Sequence, residues 1–349
     1  MFNIILSVKP IILNTPLVLN RFLAMGVGSL PHTESDLACR LIFKHLKQDV
    51  PFWPQLPKRN FKENMYVQFS QTLPGVVIDE AGQRIWIDAL KDDYSQNVEA
   101  LYEHYLADDL DYFAIGKDYA RGFYEFLNCL KVEPCSYIKG HIIGPISFGL
   151  TVSSQDKKAS IYNLEFRDCL VKALEMKARW QAREMKSISP SSRVIICIDE
   201  PYLVSIGSSF FNIKNEEVSA MLNDVVKAIH KEGAFAAVHC CGNTDWGIVL
   251  KTDIDILNFD AYNYLETIFI YREELENFLK RKGLLAFGII PNSAQGQLPE
   301  PNALLDKIGR QDNFCLVSPS CGLSGVSEER ADEVLALTSN FSRFLDGVK

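Results

Sequence analysis

The chain has 349 residues, 47% of them apolar and 11% aromatic, enough to bury a large core without disulfide staples. A formal charge of −8, with no Lys/Arg cluster interleaved with aromatics, argues against a nucleic-acid partner. No apolar run reaches the roughly 18 residues of a membrane-spanning helix, so no membrane partner is expected either.

Residues 1–20 are apolar but broken by Lys9, Pro10 and Pro16, with no small-x-small cleavage site, and read as an N-terminal extension. The nine cysteines are odd in number and irregular in spacing, which fits thiols in a reducing cytoplasm better than a disulfide framework.

From residue 21 onward short β-rich runs alternate with helical ones, with no internal repeat or linker. Phe22–Gly28 and Val50–Leu56 read as strands, followed by helices over Asp36–Leu46 and Glu63–Leu73. Residues 74–88 suggest a hairpin turning at Glu80-Ala81-Gly82, and helical periodicity resumes over 91–108 and 117–131. The stretch 74–134 is therefore an expected insertion within one domain, 21–349. Further strands are expected at Tyr137–Ile143, Val194–Ile198, Ala234–His239, Ile256–Phe259, Leu284–Ile290 and Phe314–Val317. Helices are expected over 161–187, 215–232, 264–281, 300–309 and 327–346. Eight strands, each followed by something helical, predict an α/β protein of the (β/α)8 TIM-barrel type with its site at the strands' C-terminal ends. A doubly wound open sheet is the alternative. Its glycine-rich dinucleotide turn is absent, because Pro31 interrupts Gly26-Val27-Gly28-Ser29-Leu30-Pro31.

Metal-binding residues gather at these strand ends. His239 and Cys241 are two apart in an extended segment, so they point the same way, while Cys240 faces elsewhere. Cys321 follows the last strand. Two thiolates and an imidazole suit Zn²⁺, and Asp260, after Ile256–Phe259, is the best carboxylate for a fourth ligand. Read singly, a His-x-Cys also describes a core histidine beside a buried thiol. Asp199-Glu200-Pro201 places two carboxylates at another strand end, able to orient a substrate amine or act as acid and base; a helix cap and a solvated Glu are the plainer reading. Gly28-Ser29 could hold a carboxylate through backbone N–H groups and a hydroxyl, although Gly-Ser before Pro is also ordinary turn chemistry.

Taken together, Gly28-Ser29-x-Pro31, Lys139-Gly140…Gly144-Pro145, Ile198-Asp199-Glu200-Pro201, His239-x-Cys241 and Ser320-Cys321-Gly322-Leu323 resemble the catalytic C-terminal half of the cobalamin-independent methionine synthase family. The resemblance covers most of 22–347. It implies zinc held by His239, Cys241 and Cys321, a homocysteine-like small thiol as acceptor, a carboxylate contact at Gly28-Ser29 and an amine contact at Asp199. It also implies alkyl transfer to a zinc-activated thiol. Three departures stand out. The N-terminal barrel that helps bind methyl-folate has no counterpart, so a methylated corrinoid, carried on a partner protein, is the expected donor ahead of methyl-folate. Asn292 stands where the family has a histidine proton donor, and a substrate-contacting glutamate falls near Ser205. Corrinoid:coenzyme M methyltransferases offer a similar His-x-Cys…Cys set. The uroporphyrinogen decarboxylase-like reading lacks the arginine its first loop requires, and a non-catalytic zinc-binding accessory protein is the last alternative.

Overall fold

A computed structural model describes residues 19, 21–208, 212–309 and 314–348. The expected extension at 1–20 lies, but for Leu19, outside the described residues.

Ten strands are present among the described residues: β1 (Leu23–Ala24), β2 (Val76–Asp79), β3 (Arg84–Ile87), β4 (Tyr137–Ile143), β5 (Ser153–Ser154), β6 (Arg193–Asp199), β7 (Phe235–Cys240), β8 (Ile256–Phe259), β9 (Leu284–Ile290) and β10 (Phe314–Pro319). Seven of them form one curled parallel sheet in the order β1-β10-β9-β8-β7-β6-β4. From β4 through β10 each neighbour is the next sheet strand along the chain, and the first strand, β1, pairs with the last, β10. The reversal of order that defines a doubly wound sheet is absent from these seven strands.

The edges of this half-barrel, β1 and β4, both meet residues 50–55. Val50 N–H donates to Ala24 O (3.0 Å), Gln55 N–H to Gly28 O (3.0 Å) and Lys139 N–H to Pro51 O (2.9 Å). Parallel bridges join Met25 to Val50 and Phe52 to Lys139. The segment expected as a strand at Val50–Leu56 is thus hydrogen-bonded on both sides without forming a continuous ladder, and the strand expected over Phe22–Gly28 is regular only at Leu23–Ala24. Two prolines, Pro51 and Pro54, remove ladder donors from the first segment.

Eleven α-helices among the described residues cover the sheet: α1 (Ser35–Leu46), α2 (Tyr94–Leu106), α3 (Arg121–Val132), α4 (Pro145–Thr151), α5 (Leu164–Ile188), α6 (Asn215–Lys231), α7 (Trp246–Leu250), α8 (Ala261–Tyr264), α9 (Arg272–Lys280), α10 (Pro301–Ile308) and α11 (Glu328–Val348). None is long and apolar enough to cross a membrane. The expected hairpin is β2–β3, and β5 extends it in parallel. In the 74–134 segment α2 packs on α5 and α3 on α1.

Two expected helices fail. Residues 63–73 hold only the end of a 3-10 turn at Phe61–Glu63, because long-range polar contacts claim the side chains. Gln68 Nε2 donates to Tyr119 O (2.6 Å), and Gln71 Oε1 accepts from Gly116 N–H (2.7 Å). The expected helix 264–281 is broken at Tyr271, whose φ and ψ of −97° and 53° leave the helical region.

The curled sheet separates two apolar clusters. The larger lies between sheet and helices. The smaller contains Leu23, Met25, Val50, Ile195, Cys197, Phe235, Ala237, Ile256, Ala286 and Leu316, with Tyr137 packed against it. Side chains alternate along a strand, so residues two further on share this inner face. On β6 to β10 those residues are Asp199, His239, Asn258, Gly288 and Ser318. On β4 they are Lys139 and then His141. A polar layer therefore stands directly above an apolar floor.

Candidate metal centre

His239, Cys241 and Cys321 present ligand atoms that all lie within 4.8 Å of one another. They come from the ends of β7 and β10, separated by 80 residues of chain. Backbone pairing sets the site: Asp199 is level with His239, and His239 with Asn258.

His239 Nδ1 lies 2.7 Å from Asn258 Oδ1. Asn258 spends both amide hydrogens elsewhere, donating to Ala286 O (3.0 Å) and Ser318 Oγ (2.8 Å). Its oxygen can therefore only accept, which fixes the proton on His239 Nδ1 and leaves Nε2 with a free lone pair. That Nε2 is buried and has no hydrogen-bond partner.

Burial lowers the His239 pKa, yet the neighbouring Cys321 and Asp199 outweigh it and hold the value above ordinary. Cys321 is pushed well above a normal thiol by its contact with Cys241 and by burial. Cys241 is pushed below one, through the Cys321 hydrogen bond. Two sulfurs with one imidazole nitrogen match zinc in donor type, with an exchangeable position left over in a tetrahedral site. The orphaned Nε2 and the donor set both fit.

Asp260 stands apart from this cluster. Its carboxylate caps α8, accepting from Asn263 N–H (3.0 Å) and Asn263 Nδ2 (2.7 Å). The group of ligand atoms within 4.8 Å of one another comprises His239, Cys241 and Cys321, without Asp260. Asn258, two residues earlier, is the residue on that strand that serves the centre, by orienting His239. Its signal was an amide at an inner-face position of an apolar strand. Asn258→Ala is expected to weaken zinc binding roughly 10–100-fold while leaving all three ligands in place, read by competition with a chromophoric chelator.

Asp199 and Glu200 take different parts. Asp199 is 9% exposed, and its Oδ1 has no partner. Burial raises its pKa, countered by Lys139 and His239. Glu200 points the other way and is fully buried. It accepts from Ile146 N–H (3.0 Å), Ser147 N–H (2.7 Å) and Ser147 Oγ (2.6 Å) at the start of α4. Gly144 makes room for it, since a Cβ there would fall on the Glu200 carboxyl. Glu200 is therefore an anchor between β6 and α4. Asp199 alone faces the site.

Ser29 is pressed against the Cys321 loop. Its carbonyl accepts from Leu323 N–H (2.9 Å), and a Cβ on Gly322 would strike its hydroxyl. Gly28 leaves just enough space for the His141 ring, whose Nδ1 lies 3.1 Å from where a Gly28 Cβ would sit. Asn292, at the end of β9, braces the same loop from the other side. It donates to Gly322 O (3.2 Å) and accepts from Ser320 Oγ (3.1 Å). The structure thus brings together His239, Cys241, Cys321, Asp199, Ser29 and Gly28, and leaves out Asp260 and Glu200.

Compared with known proteins, the chain matches no family model and no curated protein.

Proposed function

We propose that this protein is a zinc-dependent methyltransferase that moves a methyl group onto the thiol of homocysteine or a related small amino thiol. The observation that carries the reading is the convergence of His239 Nε2, Cys241 and Cys321, from two distant strand ends, beside the unpartnered Asp199 carboxylate. When bound, zinc is a Lewis acid that keeps a substrate sulfur ionised at neutral pH. Asp199 accepts from the acceptor's ammonium group, and the Gly28-Ser29 turn faces its carboxylate. Asn258 keeps the His239 tautomer correct, and Asn292 holds the Cys321 loop in place. The donor is a methylated corrinoid delivered by a partner protein. We also propose that residues 50–55 are the eighth stave of a closed (β/α)8 barrel, a reading supported by their backbone bonds to both β1 and β4.

The test loads the purified chain with zinc and supplies homocysteine with methylcobalamin or methyl-folate. Methionine should form with methylcobalamin. X-ray absorption at the zinc edge should gain a sulfur neighbour when homocysteine is added. A spectrum unchanged by thiol, together with no methionine from either donor, would exclude this function.

A further inference from the structure

Among the described residues, His141 alone leaves two buried side-chain atoms without a hydrogen bond, Nδ1 and Nε2 together. The ring is 2% exposed. Trp53 stacks on it with ring centroids 3.8 Å apart, Phe69 meets it edge-on at 6.2 Å, and a Cβ on Gly28 would sit 3.1 Å from its Nδ1. Burial first, then the nearby Lys139 charge, drive its pKa well below ordinary, so the ring is neutral and carries one N–H. A packing role does not account for it. An apolar side chain would fill the same aromatic slot without stranding two polar atoms, each of which costs about 1–3 kcal/mol when buried unpaired.

What the ring lacks is defined by its surroundings. Lys139, two residues earlier on the same inner face, is fully buried, and its ammonium is hydrogen-bonded to Val27 O. This corner of the pocket therefore offers positive potential and an N–H donor, and asks for an anion. The adjacent strand asks for the opposite. Asp199 is a buried carboxylate with an unpartnered oxygen. His141 is level with Cys197 and Ile143 with Asp199, so His141 and Asp199 are diagonal neighbours on adjacent parallel strands. Strand spacing and rise put their backbones roughly 8 Å apart. Both side chains rise from the same inner face, so one small ligand can meet both.

We propose that His141 is a specificity-determining residue of the thiol pocket, its imidazole N–H binding the carboxylate of an amino-acid acceptor whose ammonium group goes to Asp199. The inference rests on the thiol-acceptor reading above and deepens it: the pocket selects a zwitterion over a simple thiol.

The experiment measures binding by calorimetry to the zinc-loaded chain, using homocysteine and 3-aminopropane-1-thiol, which has the same thiol and amine but no carboxylate. His141→Met keeps the bulk and removes the hydrogen bond, while His141→Gln keeps an N–H donor. The expected result is a roughly 10–100-fold loss of homocysteine affinity in His141→Met, partly restored in His141→Gln, with the aminothiol changed less than about twofold. If both thiols bind His141→Met as they bind wild type, the ring is satisfied by internal water and the proposal is overturned. An equal loss for both ligands would make His141 a packing residue and overturn it as well. Wild type that binds neither thiol would defeat the acceptor reading itself, and this inference with it. Should His141→Met not fold, His141→Gln against His141→Asn, whose shorter amide withdraws from the slot, gives the same comparison.

Discussion

Cys321→Ser is expected to purify with little zinc, and the wild-type chain with about one ion. Cys321 is the member of the set contributed from the end of β10, and its ligand atom lies within 4.8 Å of those of His239 and Cys241. Removing it leaves one imidazole and one thiolate, and zinc affinity should fall by more than about 100-fold, beyond what loss of an outer hydrogen bond does. His239→Ala should do the same, because Asn258 then has nothing to orient. Fold is not at stake in either variant: the site sits above an apolar layer that neither change touches. The measurement is metal content by mass spectrometry beside a thermal melt. Zinc binds the ionised thiols, so protons compete with it, and affinity should weaken as pH falls, roughly tenfold per unit for each proton released. Full zinc occupancy in both variants would place the metal, if any, elsewhere.

Asp199→Asn should keep its zinc and lose its acceptor. The substitution preserves shape at the end of β6 and leaves Glu200 free to hold α4. It replaces a charged acceptor of the ammonium group with a neutral one, a change of about 1.5–3 kcal/mol for a bond to a charged group. The Michaelis constant for homocysteine should rise about 10–100-fold. The methylation of 4-mercaptobutyrate, which has no amine, should change little. The contrast matters because Asp199 also lies near Lys139 and His239. Were it chiefly a counter-charge for those two, both thiols would suffer alike and zinc would be released, which contradicts a recognition role. Glu200→Gln provides the opposite pattern: its carboxylate holds α4 to β6, so the change should lower the melting temperature with the acceptor preference intact.

Much of the centre was legible because it depends on parity. Alternation along a strand places His239 and Cys241 on one side of β7, and three expected strands, Tyr137–Ile143, Ile256–Phe259 and Leu284–Ile290, coincide with the observed ones end for end. Hydrophobic periodicity likewise located α1, α5, α6 and α11 to within a few residues. These features follow from the short-range geometry of the backbone and from which faces must be buried.

Other features depend on partners far away in the chain. Asp260 stands at a strand end where a ligand was expected, and which partners its carboxylate meets there depends on the turn that follows it. Here Asn263 captured it. The direction of Glu200 was settled by the empty space at Gly144 and the exposed amides of α4. Residues 63–73 carry a helical pattern that Tyr119 and Gly116 override. His141 read as one more residue of an apolar strand, and only the closing of Trp53, Phe69 and Gly28 around it left its nitrogens without partners. The sequence by itself thus determined which residue types stand at the strand ends. The tertiary structure alone decided which of them converge and which are spent on holding the fold, because hydrogen bonds and desolvation are set by neighbours in space and not in order.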